Sequence, residues 1–514
     1  MLDLRKVALV ILVCLLVVSA VIFLRPKQIS EGVYFGVYLP AAPFSIDSLR
    51  EFENMTGAKL AIVMWFMQST DSFPSDAVER VHSYGAIPLI TWQPFLRGGE
   101  NGYLLDYISA GGWDDYLREW AREAKKSGKT VFIRWAHEFN GYWYPWSVPA
   151  NGQDPQKFVR AWKHVVDIFR QEKANNVQWV WCPYHLSNPD EPWNDPLLAY
   201  PGDEYVDWIG LDGYNWGTSQ GWSEWLPFRS IYSSLIRIYS TAFPRKPIMI
   251  AEFASAEEGG DKAAWIEELP EALKDMPQIR AVVWFNTQKE ADWRVNSSPQ
   301  SLQTFRKIME NRIFLRGSAG LSDVSKRYKP PDNFWPSAGR IENMPFYVYS
   351  DYLSRSNHFY PTGWMGDYSD IQIEEACTEN PYSGSTCIKV IYSAQSKQKY
   401  WAGVYWQNPP NNWGMMDGGF NLTRANKLVF WARGERGGER VQFKMGGIAG
   451  YYPDSAVATS GILTLTENWQ RYEIDLKGKD LSYISGGFVF VVKAEAGYNP
   501  EGCTFYLDEI FYGN

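Results

Sequence analysis

The residues of this chain that are best suited to chemistry are concentrated in residues 131–146, which read V-F-I-R-W-A-H-E-F-N-G-Y-W-Y-P-W. Its polar members are Arg134, His137, Glu138 and Asn140, and its late tryptophans are Trp143 and Trp146. The apolar run at its start predicts a buried strand, so the polar groups cluster where that strand ends. Charged and amide groups are costly to bury without partners. A carboxyl group, hydrogen-bond donors and stacking rings together favour a cleft that processes sugars.

Apolar strands that alternate with amphipathic helices surround this cluster. Eight apolar runs predict strands at residues 33–39, 60–66, 87–92, 131–135, 177–182, 206–211, 247–251 and 279–284. Amphipathic segments such as residues 114–126 and 155–173 lie between several of them. This alternation indicates a parallel sheet, and eight units in about 280 residues predict a closed (β/α)8 TIM barrel over residues 31–316. A doubly wound open sheet is the alternative, but no Gly-rich phosphate loop follows the first strand.

Functional groups of such a barrel lie at the C-terminal ends of its strands. The candidates at those ends are Trp92 after strand three, the cluster after strand four, Asp212 and Tyr214 after strand six, Glu252 after strand seven and Trp284 after strand eight. Strands four and seven lie on roughly opposite sides of the barrel mouth. Glu138 and Glu252 are therefore predicted to face each other across a bound sugar.

Two carboxyl groups in that arrangement can cleave a glycosidic bond. One protonates the leaving oxygen and the other acts at the anomeric carbon, and a separation of about 5–5.5 Å makes the enzyme retaining. Crowding by Trp and Tyr rings is expected to raise the pKa of Glu138 by desolvation, which suits an acid/base. A donor such as Tyr214 or Arg134 is expected to keep Glu252 ionised, which suits a nucleophile.

The sequence R-W-A-H-E-F-N-G-Y-W-Y-P-W resembles the acid/base signature of glycoside hydrolase family 26, a clan A family, and the resemblance extends over residues 33–316. It implies that Glu138 is the acid/base with His137 beside it, and that Glu252 in I-A-E-F is the nucleophile. It also implies that Tyr214 hydrogen-bonds the nucleophile, that Trp284 stacks under the sugar and that Trp143 or Trp146 lines the site. Arg134, Asn140, Asp212 and Trp92 complete the predicted set of supporting residues.

Most members of that family are endo-β-1,4-mannanases, so the resemblance implies a mannan-type substrate. Mixed-linkage β-1,3-1,4-glucan and β-1,3-xylan are the alternatives within the family. A different class of function is a non-catalytic cell-surface protein that binds polysaccharide or is associated with exopolysaccharide. The intact pair Glu138 and Glu252 favours the enzyme.

Beyond the barrel the pattern changes to short strands. Residues 317–344 predict a linker, and residues 345–514 contain strands at 387–392, 401–406, 427–432, 441–445, 469–476, 488–492 and 504–512 with no helix between them. This spacing predicts an antiparallel β-sandwich. It resembles jelly-roll, galactose-binding-like carbohydrate-binding modules. The candidate ligand-facing aromatics are Trp364, Tyr400, Trp406, Trp413, Tyr451 and Tyr452, and the candidate ligands for a structural calcium ion are Asp508, Glu509, Glu374 and Glu375.

The totals of the chain limit its class. A length of 514 residues predicts two domains, and a formal net charge of −8 excludes non-specific nucleic-acid binding, which needs a basic face. Residues 7–24 are apolar or small and predict a transmembrane anchor, with a cleaved signal as the alternative. Both place the remainder outside the cytoplasm. We expect a monomer without a metal or cofactor in the barrel, and a local disulfide between Cys377 and Cys387.

Overall fold

A computed structural model describes residues 32–514 apart from residue 70, residues 96–103, residues 332–333 and residue 336. The predicted transmembrane segment at residues 7–24 lies outside the described residues. Within the described part, no helix combines the length and the apolar character that crossing a membrane requires. The membrane anchor and the location outside the cytoplasm therefore stay predictions.

Eight parallel strands form a closed barrel. They are β1 (Val33–Tyr38), β2 (Ile62–Gln68), β3 (Ile87–Gln93), β4 (Val131–Trp135), β5 (Val177–Trp181), β6 (Trp208–Asn215), β7 (Ile248–Ser255) and β8 (Ile279–Phe285). Each strand pairs with the next, and β1 pairs with both β2 and β8, which closes the sheet. A short strand, β9 (Phe314–Leu315), adds to β1. The predicted parallel barrel is confirmed.

Helices surround the barrel and fix the positions of its strands. They are α1 (Ile46–Thr56), α2 (Ser75–Tyr84), α3 (Leu104–Ser109), α4 (Asp114–Ser127), α5 (Pro155–Gln171), α6 (Phe228–Ala242), α7 (Lys262–Lys274) and α8 (Pro299–Met309), and α9 (Val324–Arg327) follows β9. The helix α5 shows why these segments form. Asp154 caps its first turn by accepting from the backbone N–H of Gln156, and one apolar face, including Phe158 and Trp162, is buried.

The C-terminal part of the chain is an antiparallel β-sandwich, as predicted. Its strands are β10 (Phe346–Tyr349), β11 (Tyr360–Gly366), β12 (Ile371–Cys377), β13 (Cys387–Tyr392), β14 (Trp401–Gln407), β15 (Lys427–Gly434), β16 (Arg440–Gly446), β17 (Val457–Thr464), β18 (Gln470–Asp475), β19 (Gly486–Lys493) and β20 (Cys503–Gly513). One sheet has the order β12-β13-β20-β15-β18 with β10 on β20, and the other has the order β11-β14-β19-β16-β17. Phe430, Phe443 and Phe488 pack between the sheets.

Asp508 is a predicted calcium ligand in the sandwich, and Cys377 and Cys387 are predicted to form a disulfide. The carboxylate of Asp508 accepts backbone N–H bonds from Tyr382 at 2.8 Å, Ser383 at 3.1 Å and Glu509 at 2.8 Å, so both of its oxygens have protein donors. A calcium ion at Asp508 would compete with these donors. Cys377 and Cys387 are free thiols that lie opposite each other in the β12–β13 pair. The expected disulfide is not formed in this structure.

The sandwich is fixed to the barrel by buried and half-buried polar contacts. In the loop that follows β5, Asp190 forms an ion pair of 2.6 Å with Lys444 of β16. From α6, the buried guanidinium of Arg237 donates to the carbonyl oxygen of Pro453 at 2.7 Å. Because these contacts lie on different barrel elements, the sandwich has one defined position beside the barrel.

Candidate active site

Glu138 reaches the mouth of the barrel because the backbone turns sharply after β4. Ala136 and Glu138 have φ angles of 49° and 52°, in the left-handed region that residues with a side chain adopt only when their surroundings hold them there. The backbone N–H of Ala136 donates to Trp92 at 3.0 Å, and that of Glu138 donates to Cys182 at 2.8 Å. These bonds to the neighbouring strand segments hold the turn, and the Glu138 carboxyl group is buried beside the site.

The environment of Glu138 favours its protonated form. Burial, followed by the nearby charge of Glu252, raises the pKa of Glu138 from 4.5 to about 8. The indole N–H of Trp143 donates to Oε2 of Glu138 at 2.7 Å and opposes part of this shift. A carboxylic acid that is still largely protonated near neutral pH is suited to donate a proton to a leaving group.

Glu252 has two hydrogen-bond donors. It lies within β7, and its Oε2 accepts a hydrogen bond of 2.5 Å from the hydroxyl of Tyr214 on β6. Its other oxygen, Oε1, accepts from the guanidinium of Arg134. Two donors, one of them cationic, hold the carboxyl group of Glu252 in a fixed orientation, which suits a nucleophile.

Arg134 is the centre of a buried polar network. Its Nη1 donates to both carboxylate oxygens of Asp212, at 2.5 and 2.6 Å, and its Nε and Nη2 donate to the hydroxyl of Thr91 at 3.0 and 2.6 Å. Burial alone would lower the pKa of Arg134, but the charges of Asp212 and Glu252 raise it well above its usual range. The guanidinium is therefore permanently charged and orients Glu252.

His137 lies next to this network in its neutral form. Burial and the charge of Arg134 lower the pKa of His137 well below its usual range. One ligand atom each of His137, Asp212 and Glu252 lie within 4.8 Å of one another, which is close enough for a metal-binding set. Arg134 already donates to both of these carboxylates, so the donor set fits an ion-pair network better than a cation site.

Asn140 and Trp146 support the loop that carries Glu138. The Asn140 amide donates to the carbonyl of Tyr184 at 3.0 Å and accepts from its N–H at 2.8 Å, which joins the loops after β4 and β5. Trp146 is buried, and its indole donates to the carbonyl of His137 at 2.8 Å. These two predicted site residues therefore act on the loop backbone, whereas Trp143 is partly exposed at the rim.

Trp92 and Trp284 are not in the cleft, which corrects the prediction for both. Trp92 stacks on Trp120 of α4 with ring centroids 4.0 Å apart, and Trp284 packs against Trp265 of α7 and Phe305 of α8. Successive side chains of a strand point to opposite faces. Both rings are on the face towards the helices, where they form part of the barrel's outer core.

The structure adds aromatic residues that sequence reasoning missed. Trp293 follows β8 and lies 5.0 Å from the Tyr214 ring, and Trp216 follows β6 and lies 4.9 Å from Trp293. Tyr184, after β5, accepts from the indole of Trp216 at 3.1 Å and lies 5.2 Å from the ring of Trp143. The available signal was an aromatic residue two to nine positions after the predicted ends of strands five, six and eight.

Comparisons with known proteins agree with this geometry. Residues 106–256 match the family model of glycosyl hydrolase family 26. Endoglucanase H of Acetivibrio thermocellus is 37% identical over 311 residues, which cover 58% of this chain and 33% of that protein. A mannan endo-1,4-beta-mannosidase A and B of Caldalkalibacillus mannanilyticus is 33% identical over 112 residues, covering 20% of each protein. Beta-1,3-xylanase TXYA of a Vibrio species is 28% identical over 196 residues, covering 35% of this chain and 40% of that protein.

This chain thus spans between a fifth and two fifths of the length of these relatives. The matched residues 106–256 include β4 with the turn to Glu138 and β7 up to and beyond Glu252. The alignment with Endoglucanase H is long enough to cover a whole barrel. From these matches and from the two glutamates at the barrel mouth, we conclude that the barrel of this chain is a glycoside hydrolase family 26 domain.

Proposed function

We propose that this protein is a retaining glycoside hydrolase that cleaves internal bonds of a β-linked polysaccharide. The observation that supports it most directly is the contrast between two buried glutamates at one barrel mouth. Glu138 has a pKa raised to about 8, whereas Glu252 accepts from both Arg134 and Tyr214. A carboxyl group with a raised pKa opposite a second carboxyl group that is held by two donors suits acid-assisted displacement at a sugar.

The reaction takes two steps in this proposal. An oxygen of Glu252 forms a bond to the anomeric carbon while the glycosidic C–O bond breaks, and Glu138 gives its proton to the departing oxygen. Glu138, now a carboxylate, then takes a proton from water as the water oxygen attacks the anomeric carbon. The bond to Glu252 breaks in that step, and two inversions leave the anomeric configuration unchanged.

A β-glucan is the first candidate substrate, because the relative with the longest of the three alignments is named an endoglucanase. A mannan with β-1,4 bonds, which the sequence resemblance implies, is the second candidate, and the Caldalkalibacillus mannanilyticus relative favours it. A β-1,3-xylan is favoured by the Vibrio relative over a shorter match than the glucan. The residues that hold Glu138 and Glu252 position two groups that react at the anomeric carbon. All three polymers have this carbon, so these residues suit each of them equally.

The test is hydrolysis by the purified full-length chain. We expect new reducing ends from mixed-linkage β-glucan, with galactomannan and β-1,3-xylan as parallel substrates, and a β-anomer as the first product seen by proton NMR. An α-anomer as the first product would contradict the retaining mechanism. Absence of product from all three polymers would leave the non-catalytic polysaccharide-binding protein as the better proposal.

The location of the protein is a further part of the proposal. A membrane anchor at residues 7–24 would hold the enzyme, as a monomer, outside the cytoplasm, where polysaccharides are met. Cell fractionation and sequencing of the mature N-terminus test this. A mature chain that begins after residue 24 in the medium would favour the cleaved signal.

A further inference from the structure

A line of aromatic rings leads from the proposed nucleophile to the edge of the barrel. Tyr214, which donates to Glu252, lies 6.0 Å from Trp216, and Trp216 lies 5.4 Å from Trp222 in ring-centroid distance. Trp222 is 61% exposed, although most tryptophans of the barrel are buried in its core. Trp216 and Trp222 both belong to the loop between β6 and α6. This loop therefore carries flat apolar surface away from the catalytic carboxylates.

The sandwich meets the barrel at the end of this line. The ammonium group of Lys399 donates to the carbonyl oxygen of Ser223 at 2.6 Å, and Ser223 is the residue after Trp222. Tyr400, the residue after Lys399, is 49% exposed. Trp222 and Tyr400, one exposed aromatic residue from each domain, are thus the sequence neighbours of the two residues that form this hydrogen bond.

Tyr400 is held in this place by its own domain. Its φ angle is 62°, and the buried carboxylate of Asp367 accepts the backbone N–H of Tyr400 at 3.0 Å and that of Lys399 at 2.9 Å. An aromatic residue in the left-handed region is unusual and persists only where the surroundings fix it. The backbone of Tyr400, one residue after Lys399, is therefore fixed by the fold of the sandwich.

The two domains cannot easily move apart at this point. The backbone N–H of Gly450 in the sandwich donates to the hydroxyl of Ser233 on α6 at 2.8 Å, and α6 follows directly on the loop that carries Trp222. The Lys444–Asp190 ion pair and the Arg237–Pro453 hydrogen bond fix the sandwich at two other places. The interface therefore holds the loop that carries Trp222 against the segment that carries Tyr400.

We infer that Trp222 and Tyr400 form a distal sugar-binding subsite that is shared by the barrel and the sandwich. Its occupant is a more distant part of the same polysaccharide chain whose bond lies at Glu138 and Glu252. The apolar face of a pyranose ring packs on an exposed aromatic ring, and burying that surface is favourable. The inference rests on the proposed hydrolase function for the identity of the ligand, but it adds that the sandwich is part of the cleft.

Oligosaccharide binding tests the subsite independently of turnover. The full-length chain with Glu252→Ala, which keeps the oligosaccharide intact, is titrated by calorimetry with a trisaccharide and an octasaccharide from mixed-linkage β-glucan and from mannan. We expect Trp222→Ala and Tyr400→Ala each to weaken octasaccharide binding about tenfold and to leave trisaccharide binding unchanged. Tyr352→Ala is the matched control, because Tyr352 is 48% exposed on another loop of the sandwich.

The outcomes separate this inference from the proposed function. Unchanged octasaccharide binding in both variants, equal losses for the two lengths or no octasaccharide binding by the parent would each overturn the shared subsite. In parallel, the variants with Glu252 intact should cleave an activated aryl β-glycoside at the wild-type rate. If the wild-type protein cleaves no substrate while the length-dependent loss of binding is observed, the hydrolase proposal fails and the subsite stands.

Discussion

The indole nitrogen of Trp143 lies 2.7 Å from Oε2 of Glu138 and donates to it. Trp143 is 37% exposed, so the hydrogen bond is made at the rim of the cleft, while the carboxyl group itself is buried. Burial and the charge of Glu252 raise the pKa of Glu138 to about 8 against the effect of this bond. The protonation of Glu138 is therefore set by opposing effects whose balance one substitution can shift.

Trp143→Phe should move the alkaline limb of the pH profile upwards. The lost N–H stabilises the anion of Glu138, so its removal raises the pKa of Glu138 further, by about half a pH unit to one pH unit. The measurement is kcat/KM on polysaccharide between pH 5 and pH 10. The wild type should lose activity at about pH 8 as Glu138 loses its proton. A limb that moves to lower pH would contradict this role of the indole.

Glu138→Gln should change how folding stability depends on pH. The pKa of Glu138 is about 8 in the folded protein and 4.5 ordinarily, so the folded state binds the proton more tightly, and wild-type stability falls as the pH rises between these values. Glutamine does not titrate. The unfolding free energy of the variant, relative to that of the wild type, should therefore increase on the order of 2–5 kcal/mol between pH 4.5 and pH 8.5.

Urea unfolding at these two pH values measures the difference. Glu51→Gln, which removes an exposed carboxylate on α1, should follow the wild type at both. Equal pH dependence of the wild type and Glu138→Gln would show that Glu138 does not titrate in this range.

Glu252→Ala should lower turnover by roughly 10⁴-fold or more, because the covalent step loses its nucleophile. Added azide can occupy the vacated space and attack an activated aryl β-glycoside directly, so the expected product is the α-glycosyl azide. Glu138→Ala under the same conditions should instead give the β-glycosyl azide, because Glu252 still forms the intermediate. NMR of the products distinguishes the two, and a β-azide from Glu252→Ala would assign the nucleophile elsewhere.

Arg134→Met should both inactivate and destabilise the protein. The substitution leaves Asp212 and Glu252 as buried carboxylates without their shared cation, which costs about 3–5 kcal/mol of unfolding free energy. Arg122→Met is the control, because Arg122 pairs with Glu172 at the surface, where water screens the pair and it adds little to stability. Denaturant unfolding measures the loss of stability in each of the two variants, and polysaccharide hydrolysis measures the loss of activity. A loss for Arg134→Met as small as that of the control would contradict a buried network.

Arg237→Met should weaken the coupling between the barrel and the sandwich. Arg237 donates to Pro453 and lies over the ring of Tyr483 with its guanidinium carbon 5.1 Å from the ring centroid, so its loss removes a buried contact between the domains. We expect a single thermal transition of the wild type to separate into two in calorimetry. Arg245→Met, which removes a surface ion pair with Asp203 within the barrel domain, should leave the transition unchanged. One sharp transition in Arg237→Met would mean that other contacts couple the domains.

The sequence predicted the barrel well, because its strands are buried on both faces and appear as apolar runs. The run at residues 131–135 coincides with β4. β6 and β7 instead extend four residues beyond the predicted ends, to Asn215 and Ser255. Polar residues such as Asp212 and Glu252 are typical of loops, but here Arg134 pairs with both and lets the strands continue around them.

The orientation of the strand tryptophans could not be read from the sequence. In a strand with two apolar faces, neighbouring residues give no polarity contrast, so Trp92 and Trp284 could face either the cleft or the helices. Tyr184, Trp216 and Trp293 lie on loops whose paths depend on contacts between strands far apart in sequence. Of the aromatics proposed to face a ligand in the sandwich, Trp406 is in the core, while Tyr400 and Trp413 are exposed.

The loop after β5 has a consequence for recombining domains. It carries Asp190, which pairs with Lys444 of the sandwich, and Asn194, whose amide donates to the carbonyl of Asn140, two residues from Glu138. A module that is joined to its host only by a flexible linker has no fixed position on the host's surface, whereas this sandwich depends on that surface. A chimera that grafted this sandwich onto a foreign barrel without residues 183–199 would lose its docking site. A deletion of the sandwich would leave the loop beneath the acid/base without its outer support.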